Sequence, residues 1–390
     1  MVDATAQMSA NRATVEDVGT ASAVTVRDYA AFAQNRVVAP SQSADWVRQW
    51  SAHVPVETVI LDLRDGPRRA MLPLEVVTKG AVRIARFMGG SHANGNFPAA
   101  DPGFSVSTQA LADAARRSGT RIDLIHLERL LDTVAGQPNA LTALPSQESA
   151  NLALAVDLTG GFEEMLLRTS GKRKRKKHRS QTRKFEAAGG FRRVAGTSPT
   201  EVDRILDAFF AMKTERFAKA GIHNVFADPG VQDFFRSLFR GSLGEAKPPF
   251  FLHGLEVDGT LRAVTGSSLC HDRMICEFGA IRDDELASTS PGDYLFFENI
   301  QEACSDGYAV YDFSVGDEFY KRLWCNIETR HFDVTVPVTA VGRVAAIAMR
   351  TQVGIKRFVK NNERLWSLVK TIRRKRAAQS AQPVSEDADA

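Results

Sequence analysis

Two Asp-Gly pairs, Asp65-Gly66 and Asp258-Gly259, stand about 190 residues apart, and the chain around each reads in the same order. Asp-Gly between β-branched, apolar runs is a hairpin turn, because both central positions need positive φ. Around the first pair, residues 55–63, 68–77 and 81–88 read as a three-strand meander. A loop rich in Gly, Asn and Pro (GGSHANGNFPAADPGF) follows, then a helix over about 107–118 and a short strand over 121–127. Around the second, residues 250–257, 261–269 and 273–281 form the meander, RDDELASTSPG the loop, 293–305 the helix and 308–313 the closing strand. In such an order the helix must cross one face of the sheet and deliver its strand parallel to a neighbour. The prediction is two copies of a mixed α/β unit with mixed sheets, although sequence identity between the copies is negligible. The second copy carries a leading strand over 191–195 and two helices over 200–220 and 231–243. Ile205, Phe209, Met212 and Phe217 recur there near helical spacing, as a core-facing stripe does.

At 390 residues the chain exceeds one ordinary core, which fits a two-part body. The expected division is residues 1–22 disordered, 23–150 and 151–340 the two halves, 341–376 basic amphipathic helices and 377–390 a disordered acidic tail. Cys270, Cys276, Cys304 and Cys325 form no C-x-x-C pair, and the histidines show no H-x-x-x-H or H-E-x-x-H spacing. That argues for a reducing compartment and against a metal. Residues 1–22 carry acids where a signal peptide needs an apolar run, and no segment approaches the ~20 apolar residues of a spanning helix. A cytoplasmic location is expected, with peripheral attachment at the inner membrane as its variant.

The stretch SPGDYLFFENIQEACSDGYAVYDFSVGDEFYKRLW, residues 290–324, is the richest in chemistry. Ser290 and Asp293 have capping-box spacing, Pro291 takes the first helical position and Gly307 stops the helix. A loop containing Gly292 at such an amino end presents unpaired amides and a positive dipole end, which suits a phosphate; an ordinary capped helix explains the same residues. Past the closing strand comes Gly316-Asp317-x-x-Tyr320-Lys321-x-x-Trp324. A carboxylate, a phenol and an amine at the carboxyl end of a strand are placed for catalysis, though a surface helix anchored by Trp324 is the competing account.

Residues 171–184, GKRKRKKHRSQTRK, hold nine lysines and arginines without an acid. The whole chain is only +4, so the remainder is about −5 and the basicity is local. A helix through this stretch is polar all round and repels itself at each i,i+4 contact, so its burial requires an anion. Lys172, Arg173, Lys174, Arg175, Lys176, Lys177 and Arg179 are the anion-binding candidates. A solvated surface, a site for a phosphorylated ligand, acidic polymer or anionic lipid, and a nucleic-acid site all remain open. The lack of stacking aromatics disfavours nucleic acid. Residues 350–376 add ten cations against Glu363 on an amphipathic pattern, which suits either packing against the body or an anionic membrane surface.

Strand, two helices, meander, S-P-G loop, helix, strand and G-D-x-x-Y-K-x-x-W together resemble the C-terminal half of the GNAT acetyltransferase-like proteins related to CelD of bacterial cellulose clusters. These are similar in turn to the FemABX peptidyltransferases, which carry two GNAT-like halves. The resemblance runs from about Val24 to about Val338 and includes RTSGKRKRKKHRSQTRKFEAAGG, MLPLEVV and RFMGG. It implies acyl transfer from acetyl-CoA or another acyl-CoA, as co-substrate and not as a permanent cofactor, to the amine or hydroxyl of a sugar or peptide acceptor, such as an envelope or exopolysaccharide precursor, in some cases lipid-linked. In this reading the amides of Phe278, Gly279 and Ala280 hold the thioester carbonyl, and Ser290, Pro291 and Gly292 face the pyrophosphate. Asp317 is the first choice for base and Glu277 the second, with Tyr320 as acid and Lys321 as anion clamp. The family's usual Q/R-x-x-G-x-G/A loop is reduced here to TSPGDYL with a single glycine. An aminoacyl-tRNA donor, as FemABX proteins use, is therefore the alternative, with the loop of the first half shaping an acceptor groove. A second alternative is a degenerate scaffold that binds an anionic nucleotide, such as cyclic di-GMP, or an acidic polymer as a regulator.

Overall fold

A computed structural model of the chain describes residues 24–150 and 152–361. The expected disordered ends, 1–22 and 377–390, and the segment beyond 361 lie outside the described residues. The first half contains α1 (Val26–Ala33), α2 (Ala44–His53), β1 (Glu57–Asp65), β2 (Arg68–Lys79), β3 (Val82–Phe87), β4 (Ala99–Ala100), α3 (Thr108–Arg117) and β5 (Leu124–Leu130). A small hairpin of β6 (Thr133–Val134) and β7 (Gln137–Pro138), and β8 (Ser146–Glu148), complete it. The second half begins with β9 (Ala153–Asp157), α4 (Gly161–Arg168), α5 (Gly171–Ala187), β10 (Phe191–Ala195), α6 (Pro199–Ala220) and α7 (Val231–Gly241). It continues through β11 (Phe250–Val257), β12 (Thr260–Cys270), β13 (Arg273–Ile281), α8 (Pro291–Ser305), β14 (Val310–Val315), α9 (Phe319–Arg322) and β15 (Ile327–Thr329). The last elements are β16 (Phe332–Pro337) and α10 (Ala340–Asn361).

Both Asp-Gly turns join antiparallel strands, β1 to β2 and β11 to β12. In each half a crossover helix then delivers a parallel strand: β5 beside β3, and β14 beside β13. Two seven-stranded mixed sheets result, one ordered β1-β2-β3-β5-β16-β8 with β4 on β2, the other β10-β11-β12-β13-β14-β9-β15. β16 falls within the segment 151–340 assigned to the second half, yet it pairs with β5 and β8 of the first sheet. The halves are therefore laced together by β16, the last described strand. The reason is geometric: β5 ends its half with an open edge, and a partner strand satisfies its backbone groups.

Helices cover both faces of the second sheet. Phe250, Leu252, Leu261, Val264, Phe278 and Ala280 share a core with α6 and α7, whereas Met274 and Cys276 join Phe296, Phe297 and Ile300 of α8. Residues 274, 276, 278 and 280 would all face one side of a regular strand. They divide because the β12–β13 register shifts between Gly266 and Ser267, leaving Glu277 as the extra residue of a bulge. The first core also spans the halves: Trp46 and Trp50 of α2 meet Phe234 of α7 edge-on at 4.9 Å each.

Against expectation, α5 buries a face. Lys174, His178, Gln181 and Phe185, spaced i, i+4, i+7 and i+11, point inward. His178 stacks on Tyr294 and Phe297 at 4.3 and 4.0 Å, and its Nε2 lies 2.7 Å from a Glu298 carboxylate oxygen. Gln181 donates to the carbonyls of Thr289 and Ser290, and Phe185 is fully enclosed. Polar side chains thus pack by satisfying backbone carbonyls, by stacking and by pairing with the chain's own Glu298, with no bound anion required. Lys172, Lys176, Arg179 and Arg183 form the opposite, exposed ridge. Replacing those four by Gln is expected to leave the urea midpoint unchanged or raised, since only like-charge contacts are lost. His178→Ala is expected to cost about 1–3 kcal/mol; equal losses from both variants would show that the inner face does not hold the helix.

Candidate active site

β13 and β14 are paired only from Arg273↔Val310 to Ile275↔Asp312. Beyond that point β13 bends at the Glu277 bulge. β14 turns away at Ser314, which holds a left-handed φ of 60°. The local cause is Asp312, whose carboxylate accepts the Ser314 amide at 2.8 Å and the Arg273 guanidinium at 2.7 Å. Ser314 Oγ donates to the Cys276 carbonyl at 2.5 Å, fixing the vertex of the split. From there to Ile281 the edge of β13 that faces β14 has no strand partner, so the stretch Phe278–Ala280 runs along an open seam.

The seam opens into a cavity of about 430 Å³ lined by both halves. Ser91, His92 and Asn94 reach it from the loop of the first half, and Lys213 and Arg216 from α6. Glu277, Tyr320 and Lys321 also line it. In the first half the matching place beside β5 is taken by its own loop: Asn96 donates its amide to the Arg129 carbonyl and accepts from the Leu131 amide. That loop serves the second half's cavity.

Glu277 is half-buried and accepts hydrogen bonds from Ser268 Oγ at 2.6 Å and Asn94 Nδ2 at 2.8 Å. Burial outweighs these bonds and raises its pKa to about 6, so the carboxylate is mostly ionised at neutral pH and still basic enough to take a proton. Tyr320, 42% exposed, stacks on Phe296 at 5.7 Å, and its partial desolvation raises the phenol above the usual range, keeping it protonated as a donor. Cys276, also on the wall, is held as a thiol by burial, its pKa pushed up to about 12, which disqualifies it as a nucleophile. Burial likewise holds His92 neutral, at about 4.

Three candidates are placed differently from their expected roles. Asp317 is exposed, outside the cavity, with its carboxylate 2.5 Å from Arg322 Nε, whereas Glu277 lines the cavity. Lys321 is buried and spends its amine on the carbonyls of Ser314 and Val315 and on Glu318 at 3.0 Å. It fastens the free end of β14 and has little left for a substrate anion. Ser290 has φ 60° and makes no side-chain cap; its carbonyl instead accepts the amides of Asp293 and Tyr294. Gly292 lies on the Ile281 side chain, which an added Cβ would approach to 2.7 Å. The amino end of α8 is further crowded by charge. Asp293 pairs with Lys177 at 3.0 Å and accepts the Trp324 indole N–H at 3.0 Å. The preceding loop carries Asp283, Asp284 and Glu285, bound to Lys219 and Arg262. The S-P-G helix and the Y-K-x-x-W motif are therefore neighbours, but few amides there remain for a pyrophosphate.

Of the basic candidates, Lys174 donates to the Thr169 and Leu323 carbonyls and Arg175 pairs with Glu163. Lys172, Arg173, Lys176 and Arg179 stay exposed. Sequence reasoning missed Asn94, Lys213 and Arg216. Nothing in their local patterns marks them, since only the fold brings them to one cavity. Among the described residues there is no cluster of His, Cys, Asp and Glu that could hold a metal, and no helix long and apolar enough to cross a membrane.

Residues 172–322 match the family model for the acetyltransferase (GNAT) domain. No curated protein matches the sequence. Among solved structures, the C-terminal domain of a putative lysylphosphatidylglycerol synthetase from Agrobacterium fabrum is similar with a TM-score of 0.51 at 13% identity, over 84% of this chain and 96% of that one. FemX is similar at 0.51 and 11%, over 80% and 96%. A tandem GNAT protein from the clavulanic acid biosynthesis pathway scores 0.44 at 12%, over 80% and 94%. The fold is mixed α/β with two mixed sheets, each built on an antiparallel meander and a crossover helix, and residues 172–322 match the GNAT acetyltransferase domain.

Proposed function

We propose that the chain is an acyltransferase of the CelD-like kind, moving an acyl group from acyl-CoA to an amine or hydroxyl of a sugar or exopolysaccharide precursor. The observation that supports this is the open seam between β13 and β14, with a raised-pKa carboxylate and a protonated phenol on one cavity. The thioester carbonyl lies against the unpaired edge near Phe278–Ala280. Glu277 takes the proton of the attacking amine or hydroxyl, the acyl–sulfur bond breaks, and Tyr320 returns a proton to the departing thiolate. Incubation with acetyl-CoA and a panel of amino sugars is expected to release free thiol only when a suitable acceptor is present. Acyl-CoA inert with every acceptor would overturn the CoA donor.

One observation favours a second donor. The amino end of α8 keeps a single glycine, an acidic first turn and amides already bonded to Ser290, a poor seat for a pyrophosphate. An aminoacyl ester on tRNA, the donor of FemABX proteins, needs no such seat. Transfer from charged tRNA, tested beside acetyl-CoA in the same assay, separates the two donors. Nucleotide binding without any transfer would instead mark a regulatory scaffold.

A further inference from the structure

Three described lysines are not exposed: Lys174, Lys213 and Lys321. Lys174 and Lys321 give their ammonium hydrogens to backbone carbonyls. Lys213 has no hydrogen-bond or ion-pair partner among the described residues. Its amine sits 5.5, 5.8 and 5.5 Å from the ring centroids of Phe209, Phe217 and Phe226, and its remaining side faces the cavity. Aromatic faces attract a cation but do not replace the three acceptors that an ammonium can engage. One turn further along α6, Arg216 stands at the mouth of the same cavity, also without a carboxylate partner among the described residues. Glu318, the acid that acts on Lys213 through space, is already engaged by Lys321 at 3.0 Å.

A half-buried cation left unpaired is costly, and its cost is offset when an anion arrives. We propose that Lys213 and Arg216 are the seat for an anionic oxygen group, a phosphate or a carboxylate, carried by the acceptor. The assignment to the acceptor takes the donor to lie on the α8 side of the sheet, as the acyl-transfer reading has it. α6 lies on the face that carries Phe278 and Ala280, whereas α8, where donor phosphates were expected, packs on the face of Cys276. A forked guanidinium beside an ammonium fits a tetrahedral phosphate or a planar carboxylate equally well. Burial among the rings lowers the Lys213 pKa to about 8, so the amine is still protonated at neutral pH and gains affinity for its proton when an anion sits beside it. The identity of the anion's carrier rests on the acyl-transfer reading; the seat itself does not.

The test has two arms. In the first, the full chain is titrated with inorganic phosphate and, separately, acetate, while the ε-carbon resonance of Lys213 is followed by NMR. Saturable shifts are expected, with the titration midpoint of Lys213 moving up. Lys213→Met is expected to weaken binding of the preferred anion by at least about tenfold, and Lys213→Arg to restore most of it. Whichever probe binds tighter identifies the class. Unchanged affinity in a Lys213→Met, Arg216→Met double variant would overturn the proposal. In the second arm, transfer to a phosphorylated or carboxylated amino sugar is compared with transfer to its neutral parent. The wild type is expected to favour the anionic acceptor by at least about tenfold in kcat/KM, and the double variant to lose that preference. Transfer with no preference for the anionic acceptor would overturn its assignment while leaving acyl transfer standing. Anion binding at Lys213 without any transfer would keep the seat and remove the acyltransferase.

Discussion

Glu277→Gln is expected to lower kcat by about 10²–10⁴-fold, the range lost when a positioned general base is removed. The substitution keeps the size of the side chain, and an amide can still accept from Ser268 and, with Asn94 turned, exchange one hydrogen bond there. The wild-type rate should rise with pH through about 6, as the carboxylate ionises, and that limb should vanish in the variant. Stability should move the other way. Because the folded state holds this carboxyl above its ordinary value of 4.5, ionisation is disfavoured in the fold, and stability is lost as pH rises through about 6. The neutral Gln escapes that loss. The variant should therefore be at least as stable as the wild type above about 6 and gain nothing below 4.5. A pH–rate profile and urea denaturation at pH 4 and 8 test both halves. A variant that keeps the acid limb places the base elsewhere; one that is slow and also unstable above pH 6 makes Glu277 a structural residue.

The sequence carried what local chemistry encodes. The two meanders, their Asp-Gly turns and the crossover helices were readable because turn geometry and hydrophobic period act over a few residues. The exchange of β16 into the first sheet was not, since nothing in FDVTVP says which open edge it will complete, and the division at residue 150 followed chain order instead. The inward face of α5 escaped for a different reason. His178 and Gln181 read as polar, and only Tyr294, Phe297 and the Ser290 carbonyl make them core residues. From the sequence Asp317 ranks before Glu277, because it follows the closing strand while Glu277 lies within a strand pattern. The bulge that turns Glu277 into the cavity is a tertiary feature, and the ion pair that draws Asp317 to Arg322 depends on the turn of α9. Lys213 sits beside Met212 of the core stripe. Its isolation from acids is a property of the assembled cavity that no spacing could express.

Gly230→Ala is expected to produce the largest loss of stability of any single methyl addition at the junction between the halves. Gly230 caps α7 with a φ of 76°, and a Cβ there would overlap the carbonyl oxygen of His53 and lie 2.7 Å from its carbon. His53 is the last residue of α2, so the obstacle is backbone from the other half and cannot swing aside as a side chain does. An alanine must adopt a left-handed conformation, at about 1–2 kcal/mol, and push α2 from α7. Separation loosens the contacts of Trp46 and Trp50 with Phe234, the cluster that joins the halves, so the total should reach about 3–5 kcal/mol. Gly259→Ala is the internal control. It has a φ of 68° with no atom near its added Cβ, and should cost only the conformational part. Because β16, which follows the second half's strands in the chain, belongs to the first sheet, the loss should appear as one cooperative transition moved to lower urea. The same displacement carries Asn94 away from Glu277, so the pH limb of the rate should shift even though neither residue is altered. If Gly230→Ala proves no costlier than Gly259→Ala, the two halves do not bear on each other at this point, and the cavity cannot depend on their contact there.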